Sequence, residues 1–345
     1  MKQVAEEQNT HPFHALKMKW YDTLIKIFGA DWFFNYQRRS QERAMIRQYY
    51  QIAPSLKSLE PCVVFTCNGF TWSGGLADRI KGIISTYDWC QQNGRTFKIN
   101  FCEPFRLEDY LVPNKYDWLP NDVAYKAQNV LPRICLREPR TGKYLAPKWD
   151  SLFPKWMNQN VNDESIQYHL YTNMFLSYYD FPKRFHELFK PCERLQKEID
   201  FHLQNIGAPY ISISFRFTTL LGDFTDCTGA PLPEDEQKDL IERSLNVVHE
   251  IASHAPVHDK ILITADSEKF LSRVQDVRNV YVIPGKVGHI DYDHGDDVNM
   301  KTFLDFFMIS KAEKVYLAKG SQMYNSAFAK TAAMVNNKPF EIYKY

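Results

Sequence analysis

Charge imbalance is almost absent from this chain. Its 42 basic side chains face 41 acidic ones, a formal net charge of +1. A protein that neutralises nucleic-acid phosphates carries a basic excess instead, so no nucleic-acid partner is expected. Long apolar runs are missing too. Stretches such as Val63–Phe65 and Phe306–Ile309 fall far short of the ~18–20 residues that span a bilayer, and the opening Met-Lys-Gln-Val-Ala-Glu-Glu lacks a secretory apolar core. These absences predict a cytoplasmic protein with at most peripheral contact at the inner face of the membrane. The seven cysteines (62, 67, 90, 102, 135, 192, 227) form no Cys-x-x-Cys pair, which argues against a zinc site or a disulfide framework and for reduced, mostly buried thiols. No repeat period and no long polar tract occurs.

What is present suits two hydrophobic cores. The chain has 345 residues, 44% of them hydrophobic and 24% charged, which is the size of two domains of roughly 150 residues. Aromatics reach 15%. Flat rings pack well on pyranose faces, although core packing accounts for the same number more simply.

Residues 1–57 read as amphipathic helix, with Leu16, Trp20, Leu24, Ile27 and Phe28 at near-helical spacing and Lys17, Lys19, Lys26, Arg38 and Arg39 among the polar positions. The preferred reading docks this segment on the first domain; a surface helix of this kind can also rest on lipid. The apolar run 62–66 predicts a buried strand, followed by a loop over 68–75, a helix over 76–92 and a strand over 96–101. Helices are expected near 164–178 and 183–205. A second series starts with a strand at 210–215 and continues with helix 234–254, strand 260–264, helix 267–274, strand 280–283, helix 299–312, strand 314–318 and helix 321–336. Strands alternating with helices imply α/β architecture. The domains are set at 58–205, on the acceptor side, and 206–345, with the boundary where Gly207 and Pro209 interrupt a helix.

Ligands of open α/β sheets bind beyond the carboxyl ends of strands, and three such loops carry suggestive residues. Gly74 and Gly75, in Ser73-Gly74-Gly75-Leu76-Ala77-Asp78-Arg79, would let a ligand reach amides at a helix start, although the loop is neither Gly-x-Gly-x-x-Gly nor a Walker loop and serves equally well as a plain turn. Arg216 ends the strand that contains Ser214. A guanidinium there can grip a diphosphate, and Asp223 or Asp226 can act as base; a strand-end salt bridge would explain the same residues. Gly320-Ser321-Gln322 follows another strand, where a helix start and the Ser321 hydroxyl would form an anion site or an ordinary N-cap. Asp291-Tyr292-Asp293 has the Asp-x-Asp form that holds a divalent ion in other transferases, in a loop with His289, His294, Asp296 and Asp297; the metal-free reading is preferred. In His11-Pro-Phe-His14 the proline breaks the spacing that would align two metal ligands.

The ordered motifs Gly74-Gly75-Leu76-Ala77-Asp78-Arg79, strand–Arg216–loop–acid, Thr264-Ala265-Asp266-Ser267, Asp305–Ala312 and Gly320-Ser321-Gln322 resemble the GT-B-fold fucosyltransferases, the superfamily of the nodulation, core α1,6-, α1,2- and protein O-fucosyltransferases. The resemblance covers about 60–340. It implies two Rossmann-like domains facing across a cleft and inverting transfer of fucose from GDP-fucose to a glycan acceptor, lipid-linked in a polysaccharide biosynthesis setting, with neither cofactor nor metal. It places Arg216 on the donor β-phosphate, Ser321 and Gln322 around the diphosphate, Gly74, Gly75 and Arg79 on the donor side, Asp266 after a donor-domain strand, and Asp291 where an acid holds guanine. Asp223 is the first choice of base and Asp226 the second. The chain departs from the family at Ser214, where a histidine is usual, and at Phe217, where a second basic residue is usual. The same fold with another nucleotide sugar, or a carbohydrate- or nucleotide-binding protein without turnover, are the alternatives.

Overall fold

The computed structural model describes residues 12–136, 149–175, 180–207, 209–226, 229–254, 260–293 and 295–345. Expectations for His11, Cys227 and His294 fall outside the described residues, as does that for the side chain of His14. The backbone forms two compact units. One comprises Met1–Ser73, Gly82–Asn100 and Trp118–Ser177; the other comprises Gly74–Lys81, Phe101–Asp117 and Tyr178–Tyr345.

The first unit opens with α1 (Pro12–Phe28) and α2 (Ala30–Tyr49). The expected single helical segment is two helices because Gly29 takes φ +85°, a left-handed conformation that costs glycine little. α2 packs inward through Phe33, Arg38, Glu42 and Met45, all buried. Glu42 accepts the Ile134 amide at 3.1 Å and lies 3.4 Å from Arg133. The sheet contains β1 (Val63–Cys67), β2 (Phe97–Phe101), β3 (Val130–Cys135) and β4 (Gln167–Thr172), ordered β2-β1-β4-β3. β4 pairs in parallel with both β1 and β3. All five residues of β1 are buried, as an apolar strand covered on both faces should be. α3 (Leu76–Gln92) follows β1, and Gly82 lets it approach closely, since a Cβ there would collide with the Thr172 carbonyl oxygen. α4 is Trp149–Asn160.

β4 corrects the helix expected over 164–178. Gln-Tyr-His-Leu-Tyr-Thr is rich in aromatic and β-branched side chains, all six are buried between β1 and β3, and this pairing overrides any helical pattern. Its His169 is fully buried. Nδ1 lies 2.9 Å from the Tyr50 hydroxyl and Nε2 2.8 Å from Gln167 Oε1, a pair of contacts that suits a neutral ring. Burial pushes its pKa from 6.5 down to about 3. Between those values the unfolded chain binds a proton that the folded chain refuses, so this group's contribution to stability falls as pH falls from 6.5 toward 3. By pH 5 the loss should be about 2 kcal/mol. In urea melts, the loss of stability between pH 7 and pH 5 should be larger in the wild type than in His169→Gln by that amount; equal losses would remove His169 as the cause.

The second unit holds α5 (Phe181–Leu188) and α6 (Glu193–Ile206). The helix expected over 183–205 is broken at Phe189–Pro191, which pairs antiparallel with Leu111–Pro113; Pro191 cannot donate to a helix. Then come β5 (Tyr210–Phe215), α7 (Glu234–His254), β6 (Lys260–Ala265), α8 (Glu268–Val274) and β7 (Val280–Val282). α9 (Asp296–Lys311), β8 (Val315–Lys319), α10 (Phe328–Val335) and β9 (Phe340–Lys344) complete it. The sheet order is β7-β6-β5-β8-β9, parallel throughout. Chain order therefore reverses between β5 and β8, the switch point beside which doubly wound sheets bind ligands. Fold class is thus α/β with two Rossmann-like units. No helix among the described residues is long and apolar enough to cross a membrane.

Candidate functional site

Register places the candidate residues at one level of the second sheet. Phe215 at the end of β5 sits opposite Ala265 of β6 and Ala318 of β8. Arg216, Asp266 and Lys319 are the next residues along each strand. Arg216 Nη2 donates to Asp226 at 2.7 Å, its Nη1 lies 3.1 Å from Asp266, and its guanidinium stacks 4.6 Å from the centre of the Phe224 ring. The guanidinium is about one-fifth exposed, the two carboxylates much less. Asp266 also accepts the amides of Phe217 at 2.7 Å and Thr218 at 2.8 Å. Burial raises its proton affinity, and Arg216 with the two amides opposes this. Those amide bonds hold Thr218 at φ +55°, a strained value for a β-branched residue.

A second arginine lies in the same unit. Arg79 is buried at the start of α3, donating Nε to the Gly74 carbonyl at 2.8 Å and Nη2 to Asp291 Oδ1. Gly74 takes φ +76°, and a Cβ there would come within 2.8 Å of the Asp78 carboxylate, so the loop requires glycine at that position. Gly75 has open space around it. His289 links the two arginine clusters. Burial is the main reason its pKa is lowered, and its ring feels Asp291, Arg216, Asp226 and Arg79. His289 Nδ1 accepts the Asp291 amide at 3.1 Å, and its ring lies 6.3 Å from that of Phe224. Asp291 Oδ2 is buried with no hydrogen-bond partner, while Asp293 accepts the His289 amide at 3.0 Å. The two acids of Asp-x-Asp thus serve different partners.

The remaining predicted residues are placed less centrally. Asp223 Oδ2 accepts the Ser267 hydroxyl and the Lys269 amide, both at 2.8 Å, and so caps α8; its Oδ1 is buried without a partner. Ser214 is buried, its Oγ 2.7 Å from Thr264 Oγ1 on the neighbouring strand. Ser321 and Gln322 are exposed in a turn closed by the Met323 amide on the Gly320 carbonyl at 3.1 Å. This corrects the helix expected from Ser321: α10 begins at Phe328, so no helix dipole acts at Ser321. The Gly320–Met323 turn, with the Met323 sulfur accepting the Gly320 amide at 3.3 Å, diverts the backbone first.

Sequence reasoning gave no role to Phe224, Thr218 or His289 in the arginine clusters. The one signal for Phe224 is its place between Asp223 and Asp226 in the loop after Arg216; His289 is marked only by its place in the loop of Asp291 and Asp293, and nothing local marks Thr218.

No protein-family model matches the chain, and no curated protein matches it. Solved structures do. NodZ α-1,6-fucosyltransferase co-crystallised with GDP aligns with a TM-score of 0.52 at 12% identity, covering 79% of this chain and 92% of that one. The same enzyme soaked with GDP-fucose gives 0.50 at 11% identity, over 80% and 92%. Fucosyltransferase NodZ from Bradyrhizobium gives 0.51 at 12%, over 79% and 93%. At these identities the likeness is one of fold, two Rossmann-like units of the GT-B kind.

Proposed function

We propose that the chain is an inverting glycosyltransferase that moves fucose from GDP-fucose to a hydroxyl of a glycan acceptor, lipid-linked in the setting we favour, without a metal ion. One observation carries this reading: a guanidinium held by two nearly buried carboxylates at the switch point of a parallel sheet, in a fold shared with a fucosyltransferase crystallised with GDP. The donor diphosphate would replace Asp226 on Arg216 as the more highly charged partner. Gly75 and Arg79 belong to the same unit and to the donor side of this reading, with Asp291, Ser321 and Gln322; the first unit supplies the acceptor side.

In the reaction the acceptor oxygen attacks the anomeric carbon, the bond from that carbon to the diphosphate oxygen breaks, and the acceptor proton passes to a carboxylate. Arg216 takes up the charge that develops on the leaving diphosphate. Asp223 is assigned as base because its Oδ1 is left without a partner. Asn at 223 keeps an oxygen for the α8 cap, so Asp223→Asn should lower kcat by at least about 100-fold while GDP affinity stays unchanged. If Asp226→Asn gives that pattern and Asp223→Asn does not, the base lies three residues further on.

A second reading, nucleotide binding without turnover, is favoured by the commitments of both acids: Asp223 caps a helix and Asp226 pairs with Arg216. GDP release from GDP-fucose by the purified protein separates the two, because a binder releases none.

A further inference from the structure

The first unit presents a surface that its own fold does not use. α2 satisfies its inward face with Phe33, Arg38, Glu42 and Met45. Its outward face, continued from α1, nevertheless carries large apolar side chains: Leu16 is 66% exposed, Trp20 61%, Ile27 66% and Phe28 53%, with Trp32 and Tyr36 beyond them. Phe28, Trp32 and Tyr36 recur every four residues and form a ladder, with ring centres 4.5 and 5.2 Å apart and the Trp32 and Tyr36 planes within 6°. Arg39 follows three residues on, with Arg43 and Arg47 at intervals of four beyond it. With Trp32, Asn35 and Tyr36 they line an open groove of about 420 Å³.

Charge on this face is predominantly positive. Lys19, Lys26, Arg39, Arg43 and Arg47 are exposed. Of the acids, Asp22 is half-buried, Asp31 is exposed with Lys155 3.6 Å away, and Glu42 is buried against Arg133 and the Ile134 amide. A second copy of the chain would bring five cations against five. Nucleic acid would match the arginines and stack on the rings but would leave Leu16 and Ile27 in water. Anionic lipid satisfies both halves: interfacial aromatics and aliphatics enter the headgroup boundary while arginines meet phosphates.

We infer that the aromatic and arginine face of α1 and α2 docks this protein on an anionic lipid surface, with lipid phosphates in the groove lined by Arg39, Arg43 and Arg47. The inference is independent of the donor assignment, because it concerns residues that take no part in the transfer chemistry.

The test is sedimentation of the full chain with vesicles of phosphatidylcholine alone and of phosphatidylcholine with phosphatidylglycerol. The wild type should pellet with the mixed vesicles only, and less as salt rises. Replacing Arg39, Arg43 and Arg47 together by Gln should weaken that partitioning on the order of 100-fold, about fivefold per charge. Trp32→Ser with Tyr36→Ser should weaken it with the charge intact. These side chains are exposed, and melting curves matching the wild type would show that the variants fold. Equal pelleting with both vesicle types, pelleting with neither, or a concentration-dependent dimer that the Trp32→Ser, Tyr36→Ser variant dissolves would each overturn the inference, the last in favour of a second copy.

Discussion

Arg216→Ala should reduce the proposed fucosyl transfer by about 10²–10³-fold, the usual cost of losing one preorganised donor to developing charge. Position alone suggests an exposed strand-end cation that could be removed without structural consequence. The structure adds two carboxylates and a ring that depend on it. Asp226 and Asp266 are both largely buried and both lean on this guanidinium, and Phe224 lies under it. Alanine therefore leaves two buried acids short of a partner, and some loss of stability should accompany the loss of rate. Arg216→Lys separates the effects. It keeps the charge but cannot bridge two carboxylates with a planar fork, so it should melt closer to the wild type than alanine does while transfer stays impaired. Turnover near the wild-type rate in a folded Arg216→Ala variant would end the donor-site assignment.

Lys301→Met should destabilise the protein by about 3–5 kcal/mol. Lys301 and Asp305 stand one turn apart on α9, both nearly buried, with Nζ 2.6 and 2.5 Å from the two carboxylate oxygens. The Gly285 loop packs on the lysine stem, where even a Cβ would come within 3.3 Å of Cδ. Burial already pushes the Asp305 pKa up, and Lys301 is the main force opposing it. Without the lysine the carboxyl should be neutral in the folded state, so the penalty should shrink as pH falls. Replacing Asp305 by Leu as well should recover most of the loss, since two apolar chains of similar volume remove both charges. Denaturant melts of the two single variants and the double variant close the cycle; a double variant as unstable as Lys301→Met would place the cost in packing instead of charge.

Much of the second unit is legible in the sequence. Several of its strands and helices are strongly patterned, so the strand at 210–215 and the helix at 234–254 fall where the pattern puts them, and the strand expected at 260–264 runs one residue further. Gly74 was legible as a loop glycine, though its reason, the approach of Asp78, was not. The failures have physical causes. Residues 167–172 form a strand because two neighbours pair with them and bury them, which tips an aromatic-rich segment away from the helix its spacing suggests. Ser321 looks like an N-cap, but the turn at Gly320 delays the helix to Phe328. Asp223 and Asp226 read as interchangeable candidates for base, yet one caps a helix 44 residues away and the other pairs with Arg216. Both are tertiary facts, set by how the loops after β5 and β6 fold over one another.

The measurement that bears most directly on the account is GDP binding by calorimetry, in excess EDTA, by the wild type and by Arg216→Lys. The wild type should bind saturably, with no change in EDTA, and binding should be at least about tenfold weaker when the forked guanidinium becomes a point charge. No binding by the wild type, equal binding by both proteins, or binding that EDTA abolishes and manganese restores would contradict the account.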